Sequence, residues 1–538
     1  MRRSLSVVVG LCALLGMGLA PGAAQAQSTP FPAPQWWREV VHRPGLPSQI
    51  PDPEHLRDYL ADGKLRLTLE QAIQLALSNN TNVLIDQLTY QNSAYNILFA
   101  LSPFDPTIQS NFSANHAGPS FSSTQTTQLT PGSLTQVLST NYNQLFETGT
   151  NIGVGLSTAR SSFGGFPANY FSALNFSASQ PLLRNRGLFP NRAPIVIARR
   201  NLHQSRMNFE AQVSSIIQNV VSQYWSVVLA RENLDVLRKS VAQAQASYDH
   251  DKRALELGAL GPYDIFQSES QLASRKVLAT QAEYTLREQE DSLRVLIGAD
   301  LDPRVSALDM DLVEASDPGK DLVTLDVGQV LQLARAKRPE YSAEQDQLAV
   351  DDLNIRLAHN QMQPSFNLSA NYSGQTLPTG GVSTPLGPSL SQAFQLNAPS
   401  YGFGLSLNLP VRNRAAEGQL GTTEVNKRRD LYSKRQLEQS IQLEARNAIN
   451  NLEVAKLSLA QAFIARDLAQ KNLEGEQKKY DLGLDSIFVL LQTQLQLTSA
   501  EQAVIQAQVS YQLALVGVDH ATGEILEHHH VEIKDPKL

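Results

Sequence analysis

Cysteine is almost missing from this chain. Among 538 residues the only thiol is Cys12, so disulfide frameworks and cysteine-rich metal sites are excluded. A basic surplus is missing as well: Lys plus Arg total 44 against 51 for Asp plus Glu, a net charge of −7, whereas nucleic-acid binders usually carry a positive excess. No nucleic-acid partner is expected. After the N-terminus there is no run of 18 apolar residues, so no later helix is suited to crossing a bilayer. Gly-x-Ser-x-Gly, His-Glu-x-x-His and Walker A patterns are absent. The chain is therefore not read as an enzyme, and no catalytic, cofactor-binding or metal-ligating residue is assigned. His528-His529-His530, in a polar tail, reads as solvated rather than as a ligand set.

What is present begins with an export signal over residues 1–26. Arg2 and Arg3 give a positive start, Leu5 to Leu19 an apolar run, and Ala24-Gln25-Ala26 a small-residue cleavage site. Leu11 is too bulky for a lipoprotein signal, so Cys12 leaves with the leader. An exported chain without spanning helices crosses a membrane only through closed β-structure. Residues 27–67 form a Pro-rich N-terminal segment, read as extended from Gln27 to Pro53, with Trp36 and Trp37 available to pack on the body or at an interface.

The rest of the chain states one pattern twice, over 68–298 and 324–523, with 299–323 as linker and 524–538 as tail. Gln74-Leu75-Ala76 recurs as Gln332-Leu333-Ala334, 258 residues on, and Pro106 recurs at that spacing as Pro364. Pro181-Leu182 before Arg184-Asn185-Arg186 echoes Pro410-Val411 before Arg412-Asn413-Arg414. Leu257-Gly258 returns as Leu482-Gly483, 225 residues on. A recurrence in fixed order identifies an internal duplication. Each half reads helix, strands, long helix, turn, returning helix. The first helices start at Thr68 and Thr324 as N-caps. Period-two alternation predicts strands over 107–115 and 170–180, then 365–373 and 401–410. It fits a barrel strand or a soluble sandwich equally. An additional hairpin is predicted at 136–159, turning at Thr148-Gly149, either within a barrel or in an outside loop.

Long helices are predicted over 194–257 and 415–482. Val213, Val220, Val227, Leu234, Val241 and Tyr248 recur every seven residues, with Ile216, Ala230, Leu237 and Ala244 on the companion seam and Gln223 interrupting it. The returning helices are predicted at 263–298 and 487–522. A helix of about 64 residues spans about 95 Å, so two short helices stacked end to end match one long one. Strands then lie at one pole and the glycine turns at the other, and the linker and tail form a belt at the break between stacked helices. Arg184, Arg186, Arg412 and Arg414 follow the strands directly and read as membrane-boundary residues on the periplasmic side, or as ordinary solvated turn arginines.

Thr68-Leu69-Glu70-Gln71-Ala72 with Leu75-Ala76-Leu77-Ser78-Asn79-Asn80, Gln180-Pro181-Leu182-Leu183-Arg184, and the turns Leu257-Gly258 and Asp481-Leu482-Gly483-Leu484 resemble the motifs of TolC-family outer-membrane efflux proteins. The resemblance covers about residues 60 to 525. It implies an α+β membrane protein: a homotrimer sharing a 12-stranded β-barrel in the outer membrane, continuous with an internally duplicated α-helical coiled-coil barrel that crosses the periplasm. It further implies partners, namely outer-membrane lipid, a periplasmic adaptor and an inner-membrane transporter. Leu257, Gly258, Leu482, Gly483 and Leu484 then take the adaptor-contact positions at the tips. The family's acidic entrance positions fall on Val489 and Gln492, so that acidic ring is absent, and Asp264 and Asp485 become candidates for entrance charge, helix N-terminal caps being the alternative. The competing expectation is a soluble periplasmic coiled-coil scaffold whose strands form a small sandwich.

Overall fold

The computed structural model describes residues 50, 53 and 56–535, apart from 62, 123–127, 165–166, 259–260, 262, 264, 307, 315, 317–325, 378–382, 483 and 534. The export signal, Trp36, Trp37, Thr324, Asp264 and Gly483 therefore lie outside the described residues. The chain divides into two units, Met1–Asp52 and Pro53–Leu538, and every element named here belongs to the second.

Thr68 caps α1 (Leu69–Asn79) through a capping box: its hydroxyl accepts from the Gln71 N–H, and the Gln71 side chain accepts from the Thr68 N–H. Asn80 is extended and its side chain caps α2 (Thr81–Leu101), so the expected single first helix is in fact two. The first repeat continues with α3 (Leu188–Glu256) and α4 (Ile265–Ile297). α3 starts six residues before the expected boundary and carries Pro194 inside it, giving up one backbone hydrogen bond there. The second repeat contains α5 (Val327–Lys337), α6 (Pro339–Met362), α7 (Leu386–Phe394), α8 (Arg414–Asp481) and α9 (Ile487–Thr522), followed by α10 (Ile525–His528). Asp326, not Thr324, caps α5, because its carboxylate accepts from the Gln329 N–H. Pro339 lacks an N–H and holds Arg338 extended, which separates α5 from α6.

At 69 residues α3 is about 100 Å long. The short helices meet end to end beside it. The Asn80 Nδ2 donates to the Leu296 carbonyl at 2.9 Å, so the end of α4 abuts the α1–α2 break. The second repeat does the same: a Cβ at Gly523, just after α9, would sit 3.1 Å from the Lys337 carbonyl oxygen at the α5–α6 break. Lys337 adds ion pairs to Glu524 at 2.8 Å and Glu527 at 2.7 Å.

The strands are β1 (Leu60–Ala61), β2 (Lys64–Leu67), β3 (Thr107–Ala117), β4 (Ser120–Ser122), β5 (Gln128–Thr130), β6 (Ser133–Leu145), β7 (Asn151–Phe163), β8 (Asn169–Pro181), β9 (Met310–Leu312), β10 (Ser365–Gln375) and β11 (Ala398–Asn408). The main sheet has six, in the order β11-β10-β8-β7-β6-β3, every neighbour antiparallel. A 12-stranded barrel shared by three copies takes four strands from each, and the sheet of one chain holds six. The hairpin β6–β7 is hydrogen-bonded between β3 and β8, because it carries the same alternation as its neighbours and so fits the sheet on both sides.

Cross-strand register separates two chemistries. Leu368, Ala370 and Tyr372 stand opposite Leu405, Phe403 and Tyr401. On the same face, through β8, follow Phe176, Val154, Tyr142 and Ile108. The other face is mostly Asn, Ser and Gly, with Asn371 against Gly402 and Asn141 against Gly155, and turns apolar at Val137, Ala159 and Phe171. Arg160 is the one formally charged residue of the six strands. The largest core lies instead around the α1–α2 break. Leu65, Leu67, Ile73, Leu75, Val220, Tyr224, Leu293, Ile297, Leu312 and Ile525 are buried together, and β2 pairs with both β1 and β9 beside them.

Candidate functional site

Three zones carry the chain's candidate functional residues: the helix turns, the belt and the strand-to-helix junctions. At the first turn Leu257 is the C-cap of α3, its side chain 85% exposed. Gly258 follows with φ +71 and open space around its Cα, a left-handed residue that ends the helix without strain. At the second turn Leu482 and Leu484 are each 73% exposed. The two turns therefore present bare leucines at the end of α3 and α8 far from the sheet, an apolar display that water alone does not favour. The Asp485 carboxylate accepts from the Ser486 N–H at 2.8 Å, while Ser486 itself is the N-cap of α9. Just inside the turns Gln267, Gln271, Gln492 and Gln496 line a groove with Phe488 and Leu491. The positions where acidic residues were sought thus carry amides and apolar groups.

Arg184 and Arg186 lie between β8 and α3, Arg412 lies between β11 and α8, and Arg414 is the first residue of α8. The Arg184 N–H donates to the Pro364 carbonyl at 3.3 Å, and the Asn185 N–H to Asn360 Oδ1 at 2.9 Å. All four arginines are thus at the level where strands give way to helices.

The belt is held by charge as well as by apolar contact. Glu314, after β9, accepts from the Leu69 N–H at the start of α1 and from the Tyr224 hydroxyl, and burial together with that carboxylate pushes the Tyr224 pKa up. In the tail Asp535 accepts from the Tyr90 hydroxyl at 2.8 Å and pairs with Arg206 at 3.1 Å. His528 pairs with Asp519 at 3.1 Å, and burial lowers the His529 pKa. Among the described residues no group of His, Cys, Asp or Glu is arranged to hold a metal ion, and no helix is long and apolar enough to cross a membrane.

The family model for outer membrane efflux proteins matches residues 330–524. The probable efflux pump outer membrane protein TtgC of Pseudomonas putida is 22% identical over 314 residues, 57% of this chain and 60% of that protein. The outer membrane protein TolC of Vibrio cholerae is 21% identical over 340 residues, 61% of this chain and 72% of that one. The Campylobacter jejuni CmeC outer membrane channel superposes with a TM-score of 0.61 at 15% identity, covering 94% of both chains, so the fold is shared. The chain is thus similar to outer membrane efflux proteins in sequence over residues 330–524 and shares its fold with such channels over nearly its whole length.

One residue of the chain escapes sequence reasoning. Asp251, near the end of α3, is 1% exposed and accepts from the Tyr480 hydroxyl of α8 at 2.9 Å and from the Ser268 hydroxyl of α4. It ties the two repeats together next to their turns. Its neighbours His250, Lys252 and Arg253 make the local sequence read as a solvated face.

Proposed function

We propose that three copies of this chain form an outer-membrane channel whose helical body reaches into the periplasm. The tips Leu257, Gly258, Leu482, Gly483 and Leu484 dock on a periplasmic adaptor. An inner-membrane transporter delivers small molecules or proteins, which leave through the duct to the exterior. The channel itself performs no chemistry and is passive. Arg184, Arg186, Arg412 and Arg414 mark the periplasmic membrane boundary, and either Asp264 or Asp485 supplies entrance charge.

One observation carries the reading: the six-stranded sheet has a broad apolar face, unrelieved by charge apart from Arg160 near one end, and runs directly into helices about 100 Å long. A soluble sandwich would need a second layer over that face, yet Phe403 is 83% and Tyr401 82% exposed. Lipid satisfies such a face, and three copies side by side close the edges.

Fractionation tests the proposal. Trimers resistant to detergent but dissociated by heat are expected in outer-membrane fractions. Complete extraction without detergent would instead establish the periplasmic scaffold. For the entrance, Asp485→Asn is expected to reduce cation selectivity of single channels in planar bilayers; unchanged selectivity removes that role.

A further inference from the structure

The hairpin Ser133–Phe163 has no counterpart in the second repeat, where β10 leads straight through α7 to β11. It is nevertheless built like the strands around it. Its outer positions Tyr142, Val154 and Leu156 share the apolar face. On the opposite face its glycines make room for polar neighbours in the same way as the duplicated strands do. A Cβ at Gly155 would lie 2.6 Å from Asn141 Oδ1, and one at Gly402 would lie 3.0 Å from Asn371 Oδ1. A loop resting outside a membrane has no reason to keep both faces in register with its neighbours over 13-residue strands.

The edges lead to the same conclusion. β3 and β11 each have 11 residues and are the two ends of the sheet. With an even number of antiparallel strands between them, they run in opposite directions. The β11 edge of one copy therefore continues the antiparallel pattern against the β3 edge of the next, and each edge leaves backbone groups that need a partner in lipid.

We infer that the membrane barrel of this protein has 18 strands, six from each of three copies, with β6 and β7 in its wall. The inference rests on the trimeric reading above and sets the size of its exit. Barrel diameter grows about linearly with strand number, so the exit is about 1.5 times as wide as a 12-stranded one. Its wall, mostly Asn, Ser and Gly, is uncharged over the strands' inner face. Such an exit admits bulky cargo of either charge, leaving selection to the narrower helical end.

Electron cryomicroscopy of the full chain purified from outer membranes tests this by counting strands. Eighteen, with residues 133–163 in the wall, is the expected result. A trimeric barrel of 12 strands, with the hairpin outside it, overturns the inference and leaves the channel proposal standing; absence of any trimeric membrane particle overturns the channel proposal as well. A second measurement uses Leu156→Cys and Ser157→Cys in cells, since the native thiol, Cys12, belongs to the leader. A water-soluble maleimide is expected to label position 157 at least about tenfold faster than position 156. Equal labelling places the hairpin outside the bilayer and overturns the inference.

Discussion

Glu444 of α8 accepts hydrogen bonds from Arg338, at the α5–α6 break, and from His520 Nδ1 of α9 at 3.0 Å. Burial pushes its carboxyl pKa up, but the bonds from His520 and Arg338 outweigh burial and hold it at about 2. A carboxyl with a depressed folded-state pKa stabilises the fold above its free value of about 4.3 and loses that contribution as pH falls toward 2. Glu444→Gln is therefore expected to cost about 1–2 kcal/mol at pH 7, discounted for its partial exposure, and almost nothing near pH 2. Denaturant melts at the two pH values check it, and an equal cost at both refutes the assignment. Asp351 of α6 runs the other way. Burial first, then repulsion from Asp430 on α8, pushes its pKa up to about 6, and its Oδ2 has no partner. The fold binds that proton more tightly than the unfolded chain, so this group favours folding increasingly as pH falls from 7 through 6. Asp351→Asn is expected to raise the melting temperature at pH 7.5 and to give no gain at pH 4; a loss at pH 7.5 would show that the ionised carboxylate is needed.

At the scale of elements, the helix break and its stacked partner depend on one close approach. Gly298 has φ +71, and a Cβ there would lie 2.7 Å from the Asn79 Cβ. Gly298→Val combines backbone strain with a steric clash and is expected to cost about 2–4 kcal/mol. Gly258→Ala, at the same φ but in open space, is expected to cost about 1 kcal/mol. Thermal melts of both variants check the contrast, which fails if the two costs are equal. Much of this architecture was legible in sequence because long helices advertise their seams: Val213, Val220, Val227 and Leu234 are all buried, as are Ile216, Ala230 and Leu237. The interruption at Gln223 is also explained, its Nε2 donating to the Gln289 carbonyl of α4 at 2.9 Å. The breaks at Asn80 and Arg338 have local causes, the Asn80 side-chain cap and Pro339, but which Asn or Pro divides a helix and which is carried through, as Pro194 is, was not legible. Nor was the place of β6–β7, because alternation tells which side chains share a face and not which strand lies next door. At the turns, the bare leucines could be read from sequence, whereas the Asp251–Tyr480 link, spanning 229 residues of chain, could not.

For the whole molecule, the decisive quantity is what each sheet face meets. Leu405 and Ser406 are adjacent on β11, and strand geometry sends them to opposite sides. Leu405 stands on the apolar face, 60% exposed in a single chain, where the proposed channel has lipid. Ser406 stands with the Asn, Ser and Gly positions, where it has water. A cation on the lipid face near the bilayer midplane costs about 2–4 kcal/mol, while one on the lumen face stays hydrated. In the proposed trimer the same change occurs at three places in one assembly. Leu405→Arg is accordingly expected to reduce the yield of heat-modifiable trimers in outer membranes severalfold. Ser406→Arg is expected to preserve trimers and shift single-channel selectivity toward anions. If the two variants assembled equally well, the apolar face would not be the lipid face. If Ser406→Arg assembled but left selectivity unchanged, the Asn, Ser and Gly face would not line the conducting path, and the duct would have to run somewhere other than through this sheet.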